Sequence, residues 1–257
     1  MPFEFVRYEK RDRIAYVTIN RPEVLNALHP PANDELSAVW DDFAADPDTW
    51  VAILTGAGER AFSAGNDLKW TATHGMPRMP KGGFGGLVFR DDLWKPLIAA
   101  VNGVALGGGL EIALACDIIV ASDNARLGLP EPRVGLMAAA GGVHRLPRSV
   151  PLKIAMGMML TGRQIPAAEA ARIGLVNEVV PQAELMAAAE RWANEILECS
   201  PLSVQASKQA ALLGLAKPLA EAMAGDYPLV RKLWTSEDVV EGPLAFTEKR
   251  KPVWKGR

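Results

Sequence analysis

Apolar and polar positions follow two rhythms in the first half of the chain. Ile14 to Ile19 (IAYVTI) is a β-branched run closed by Asn20-Arg21-Pro22, which predicts a strand ending in a turn. After Pro30-Pro31, the residues Leu36, Val39, Trp40 and Phe43 recur at helical spacing as far as Asp46-Pro47, which predicts an amphipathic helix. Val51 to Leu54 and Pro96 to Val101 read as short buried strands. The run from Gly109 to Cys116 reads as a helix, and Asp117 to Ala121 as the next strand. Strands alternating with helices at this spacing predict an α/β fold with crossover connections.

From about Pro151 Ala-rich helical patterns take over, at Ala167 to Ile173, Gln182 to Glu198, Pro201 to Leu215, Pro218 to Trp234 and Ser236 to Arg250. One strand signal, Leu175 to Val180, interrupts them. The pattern predicts an α/β core over residues 1–195 and a helical region over residues 196–257. The Leu, Met and Trp stripe of that region suits either a neighbouring subunit or a cap on the same one. Between Lys69 and Leu93, glycines at 75, 82, 83, 85 and 86 and prolines at 77 and 80 predict a mobile loop over a site.

Composition narrows the class. The 257 residues hold 28 Lys plus Arg against 30 Asp plus Glu, a net charge of −2, and 49% are apolar. Such a balance offers no field for nucleic acid or an anionic membrane, and so apolar a chain is not disordered. Cys116 and Cys199 are too few and too far apart for a disulfide framework or a zinc motif. Glu4, Arg7, Glu9 and Lys10 leave no apolar core for a signal peptide. The longest apolar stretch, Gly103 to Ala121, is interrupted by Glu111 and Asp117. These features predict a soluble cytoplasmic protein.

Several familiar motifs fail on inspection. Gly56 to Ala61 fits a loose G-x-G-x-x-A, but Phe62 to Asn66 breaks the helix that a dinucleotide site needs. Gly157 to Gly162 has P-loop spacing without the Lys-Ser/Thr, and Ser63 lacks the first glycine of a nucleophile elbow, which leaves it structural. His29, His74 and His144 show no ligand spacing, so no metal is expected.

Two segments of small residues remain, Ala61 to Leu68 and Asn102 to Glu111. Each lies at a strand-to-helix transition, where bare backbone and unpaired N–H groups would admit a ligand. Glu111 falls in the first turn of the second helix. Glu131 follows twenty residues later between Pro130 and Pro132, and a crossover could bring both carboxylates to one pocket. Two carboxylates beside an oxyanion hole would suit acid–base chemistry next to a carbonyl. Spacing alone leaves open dipole complementarity for Glu111 and a solvated loop charge for Glu131.

These segments, together with Leu129-Pro-Glu131, Gly141-Gly142, Leu160-Thr-Gly162, Gly174-Leu-Val-Asn177 and Phe246-Thr-Glu-Lys-Arg250, resemble the enoyl-CoA hydratase/isomerase (crotonase) superfamily in order over the whole chain. Gly65 to Lys69 and the tail from Ser236 are most similar to the carnitinyl-CoA dehydratases within it. The resemblance implies a crotonase-like ββα spiral with a helical C-terminal trimerisation region, assembled as a homotrimer or homohexamer. It also implies a hydro-lyase acting on an acyl-CoA thioester, with no metal and no cofactor beyond the coenzyme A of the substrate.

Residue by residue, it implies an oxyanion hole from the N–H groups of Asn66 and Gly108, with Glu111 and Glu131 as acid and base. Ala64, Asn66, Asp67, Leu68 and Lys69 would line the pantetheine and adenine path, and Phe246 and Lys249 would reach a neighbouring subunit's CoA. Trp70, Phe84, Phe89 and Trp94 could cage a trimethylammonium group or simply pack their loop. Where many hydratases carry Pro-Gly after the second glutamate's loop, this chain has Ala138-Ala139. An isomerase, another acyl-CoA enzyme of this fold, or a non-catalytic acyl-CoA-binding protein are the alternatives.

Overall fold

Residues 3–75 and 78–257 are described by a computed structural model of the chain. β1 (Val6–Arg11) and β2 (Ile14–Ile19) form an antiparallel hairpin. Its two-residue turn, Asp12-Arg13, has φ of 50° and 65°, the left-handed geometry that matches strand twist in such turns. β3 (Val51–Gly56), β5 (Leu97–Val101), β7 (Ile118–Ser122) and β10 (Glu178–Val180) then add in parallel, giving a six-stranded sheet in the order β1-β2-β3-β5-β7-β10. A second sheet has the order β4 (Ala61–Ser63), β6 (Val104–Leu106), β8 (Arg126–Gly128) and β9 (Gln164–Pro166). After the hairpin, the pairs β3-β4, β5-β6 and β7-β8 each give one longer strand to the first sheet and one three-residue strand to the second before a helix follows. That is a ββα spiral.

Side-chain amides hold the corners where a strand leaves one sheet for the other. Asn102, between β5 and β6, donates from Nδ2 to the carbonyls of Gly56 at 2.8 Å, Gly58 at 2.6 Å and Ala61 at 3.1 Å, and its Oδ1 accepts the Gly56 N–H at 3.1 Å. Asn26 donates to Ala61 at 2.7 Å from the preceding turn. These bonds satisfy buried backbone groups that no strand partner reaches. Gly103 is bare because a Cβ there would run into the Arg60 carbonyl.

The predicted helix of the first half is α1 (Pro30–Ala45), and Leu36, Val39, Trp40 and Phe43 form its buried face. α7 (Leu185–Leu197) covers the other face of the large sheet through Leu185, Ala188, Ala189 and Ala193. The α/β alternation, β2, β3, β5, β7 and the helix at Gly108 all stand where the sequence places them. The short strands β4, β6, β8 and β9 and two helices, α4 (Gly142–Ser149) and α5 (Leu152–Thr161), are not among the elements read from the sequence.

Two expectations need correction. Pro218 to Trp234 is not one helix but α9 (Leu219–Met223) and α10 (Pro228–Trp234), because Gly225 and Pro228 break it. The segment from Lys69 to Leu93 is only partly a surface loop. Its start is the helix α2 (Leu68–His74), and Phe84, Leu87, Val88 and Leu93 are core. Trp40 Nε1 donates to the Gly85 carbonyl at 2.9 Å, and Asn33 accepts the Gly85 N–H at 2.6 Å, so the glycine-rich turn is pinned to α1. Met76 and Pro77 lie outside the described residues. α6 (Ala167–Arg172), α8 (Pro201–Gly214) and α11 (Asp238–Thr247) complete the chain, with α8, α9, α10 and α11 packed on one another.

Candidate active site

The small residues set up close approach of two backbone segments. Gly65 has φ of 87°, and a Cβ on it would meet the Gly108 nitrogen at 2.8 Å. A Cβ on Gly109 would strike the Ser63 carbonyl, so the start of α3 (Gly108–Ala115) lies directly against the end of β4. Ser63 is structural: its hydroxyl donates to the Asn26 carbonyl and accepts the Gly65 N–H. Leu28 N–H donates to the Gly65 carbonyl and Asp67 N–H to the Leu28 carbonyl, a bridge that flanks Asn66 and leaves the Asn66 N–H outside it. Gly108 opens α3, so its N–H has no intrahelical acceptor.

The Asn66 side chain turns back to Thr71 Oγ1 at 2.8 Å. Asp67 caps α2, accepting the Trp70 N–H at 3.1 Å, and pairs with Arg21 at 3.0 Å. Burial alone would push the Asp67 carboxyl up, but the Trp70 N–H and the Arg21 guanidinium outweigh it and hold the group below the usual carboxylate range. Leu68 and Lys69 are exposed on the first turn of α2, and Ala64 is half-buried beside Gly65. Phe84, 4% exposed, lays its ring where a Gly108 Cβ would stand.

The two carboxylates meet at this helix start. Glu111 is 3% exposed, and its Oε1 accepts the Gly142 N–H at 2.8 Å. Burial, with the nearby Glu131 adding repulsion, raises its pKa to about 7 against the pull of the Gly142 and Ala140 N–H groups and Arg145. Glu131 opens a 3-10 turn, Glu131–Val134, closed by Gly135 at φ 72°. Its Oε1 lies 3.1 Å from where a Gly107 Cβ would be. Its Oε2 is buried without a hydrogen-bond partner among the described residues, and burial raises its pKa.

Sequence reasoning missed Arg145; it named Gly141-Gly142 only as a motif and Phe84 only as a possible cage residue, not as the Glu111 donor and the ring over Gly108.

Beside Glu131 lies an apolar cavity of about 270 Å³, lined by Leu129, Pro132, Leu136, Met137, Ala138, Val143, Met159 and Leu160. Of the four aromatics near the loop, Phe84 is core, Phe89 is exposed and Trp70 stacks on His74 at 4.6 Å. No ring pair joins any two of them among the described residues. Phe246, 85% exposed, lies in the last turn of α11, which packs on α10, and Lys249 follows just past its end. Among the described residues no cluster of three His, Cys, Asp or Glu converges, and no helix is long and apolar enough to cross a membrane.

Residues 9–257 match the family described as enoyl-CoA hydratase/isomerase. The chain belongs to that family. It is 44% identical over 262 residues to the (E)-benzylidenesuccinyl-CoA hydratase of Thauera aromatica, covering 98% of this chain and 99% of that one. It is equally 44% identical over 263 residues to the carnitinyl-CoA dehydratase of Escherichia coli K12, covering 99% of each. Among solved structures, the enoyl-CoA hydratases of Mycobacterium marinum and Mycobacterium tuberculosis superpose with TM-scores of 0.93 and 0.92 at 40% and 39% identity. Each alignment covers 98% of this chain and 99% of the other. The fold is therefore that of the enoyl-CoA hydratases, and the chain is an enzyme of this hydratase type.

Proposed function

We propose that the chain is a hydro-lyase that adds water across Cα–Cβ of a 2-enoyl-CoA thioester, or removes it from the 3-hydroxyacyl-CoA. The observation that carries this reading is the convergence of two carboxylates, buried Glu111 and half-buried Glu131, on the N-terminus of α3. The Asn66 and Gly108 N–H groups receive the thioester oxygen and stabilise the enolate-like state, a donor of this kind being worth about 3 to 4 kcal/mol of barrier. Glu111, clasped by backbone N–H groups that favour its anion, takes a proton from water as the oxygen bonds to Cβ. Glu131, whose unpartnered Oε2 favours the neutral acid, delivers a proton to Cα. Dehydration runs the same transfers backwards, and proton transfer alone completes the balance without metal or redox cofactor.

Ala64 and Asn66 to Lys69 line the pantetheine and adenine path in this reading. Phe246, Lys249 and the exposed Leu212, Leu215, Met223 and Trp234 meet a neighbouring subunit in a homotrimer or homohexamer, in the cytoplasm. The cavity beside Glu131 has neither carboxylate nor aromatic ring, which favours an uncharged hydrocarbon acyl group over the quaternary ammonium of a carnitinyl thioester.

The test is loss of the enoyl chromophore of crotonyl-CoA with purified protein. Glu111→Gln and Glu131→Gln should each lower the rate by orders of magnitude, and wild-type rates in both would refute the reaction. A strong preference for crotonobetainyl-CoA over crotonyl-CoA would refute the hydrocarbon assignment.

A further inference from the structure

The segment from Ala138 to Gly142 is three alanines and two glycines, so it has no polar side chain with which to fix itself. Yet it supplies the Gly142 N–H to Glu111 at 2.8 Å, and the Ala140 N–H adds to the pull on the same carboxylate. Its own backbone bonds are few: Ala139 N–H to the Met137 carbonyl at 2.7 Å, Val143 N–H to the Ala138 carbonyl at 3.3 Å, and the His144 and Arg145 N–H groups to the Gly141 carbonyl at 3.0 and 2.8 Å. Gly141, at φ 103°, turns the chain tightly, and a Cβ there would collide with Arg145 Nη1.

Arg145, on α4, occupies that hollow. Its Nη2 donates to the Val88 carbonyl at 2.6 Å, and its Nη1 stands 3.5 Å from the Ala140 carbonyl, a long bond. Val88 belongs to the turn that carries Phe84 over Gly108, so one guanidinium ties the segment clasping Glu111 to the segment roofing the oxyanion donor. A planar fork can span two carbonyls in this way, whereas an ammonium is a single point.

We propose that Arg145 is a positioning residue for Glu111: by holding the Ala140 and Val88 carbonyls it fixes the backbone donors that clasp the Glu111 carboxylate. The inference rests on the reading of Glu111 as a reacting carboxylate. The charged groups acting on Glu111 are Glu131 from the 3-10 turn, which disfavours its anion, and Arg145 from α4, which favours it. Loss of Arg145 removes the cation and loosens the two N–H donors, and both changes move the Glu111 titration to higher pH.

The experiment is a carboxyl-¹³C glutamate NMR titration of the full chain, assigned with Glu111→Gln, beside the pH dependence of kcat and KM on crotonyl-CoA. Arg145→Gln should displace the Glu111 titration and the acidic limb of kcat upward together by about one pH unit, which is about a fivefold loss of kcat at pH 7. KM should change less than about twofold. Arg145→Lys, which keeps the charge but cannot span both carbonyls, should fall between. A folded variant of either kind whose Glu111 titrates as in wild type overturns the proposal, and if Arg145→Gln does not fold, the lysine variant decides it. Wild-type protein inert toward crotonyl-CoA at every pH would overturn the hydration reading, while the carboxylate titration would still judge Arg145.

Discussion

Gly65 presses against Gly108: a Cβ on Gly65 would stand 2.8 Å from the Gly108 nitrogen and 2.7 Å from the Leu106 carbonyl oxygen. Gly65→Ala must therefore displace one of the two backbone donors, and at φ 87° it strains its own backbone as well. The expected result is a kcat on crotonyl-CoA lower by about 10²- to 10³-fold, with a stability loss of about 1–3 kcal/mol. Thermal unfolding and turnover measured on one preparation separate the two effects. A destabilised variant with undiminished kcat would remove these N–H groups from the reaction.

Glu111 makes the fold sensitive to pH. Its folded pKa, about 7, lies above the unfolded value of 4.5, so folding favours the protonated form. Its contribution is fully present below pH 4.5 and is lost as pH rises through about 7. Glu111→Gln, which cannot ionise, should then be more stable than wild type at pH 8 by up to about 3 kcal/mol and nearly equal to it at pH 4. Urea titrations at the two pH values would show it, and equal differences at both would contradict it.

Asp67 does two structural jobs beside Asn66, capping α2 and pairing with Arg21, with both side chains only 12% exposed. Asp67→Ala should cost about 1 kcal/mol for the cap and more for the guanidinium left unpaired. Asp67→Asn keeps the cap acceptor and should recover part of that loss. Chemical denaturation of the two variants gives the comparison.

The apolar cavity can be narrowed from its rim without touching the carboxylates. Leu160 is 69% exposed and lines it, so Leu160→Trp should leave stability within about 0.5 kcal/mol. It should raise KM for longer or aryl enoyl-CoA thioesters about tenfold or more while sparing crotonyl-CoA. An equal effect on short and long thioesters would place the acyl chain elsewhere.

How much of this was legible beforehand follows the length of the signal. α1 was readable because it buries one face at helical spacing, and β2, β5 and α3 because each is a mostly apolar run of strand or helix length. The four short strands were not, since three residues hold no period and their pairing depends on Asn26 and Asn102 turning the corners. The glycine-rich segment looked mobile because glycine and proline are loop residues by composition. What decides otherwise is Trp40 and Asn33, some fifty residues earlier, bonding Gly85.

The sequence by itself determined the family, through ordered motifs, and named the carboxylates, because small residues followed by a glutamate at a helix start are a local pattern. Only the tertiary structure decided that Glu131 stands against the Gly107 turn at the start of the Glu111 helix, that the Gly142 N–H bonds Glu111, that Arg145 reaches the Val88 and Ala140 carbonyls, and that the neighbouring cavity is apolar. Proton affinity and pocket chemistry arise from burial and from groups distant in sequence, and those are set when the spiral closes.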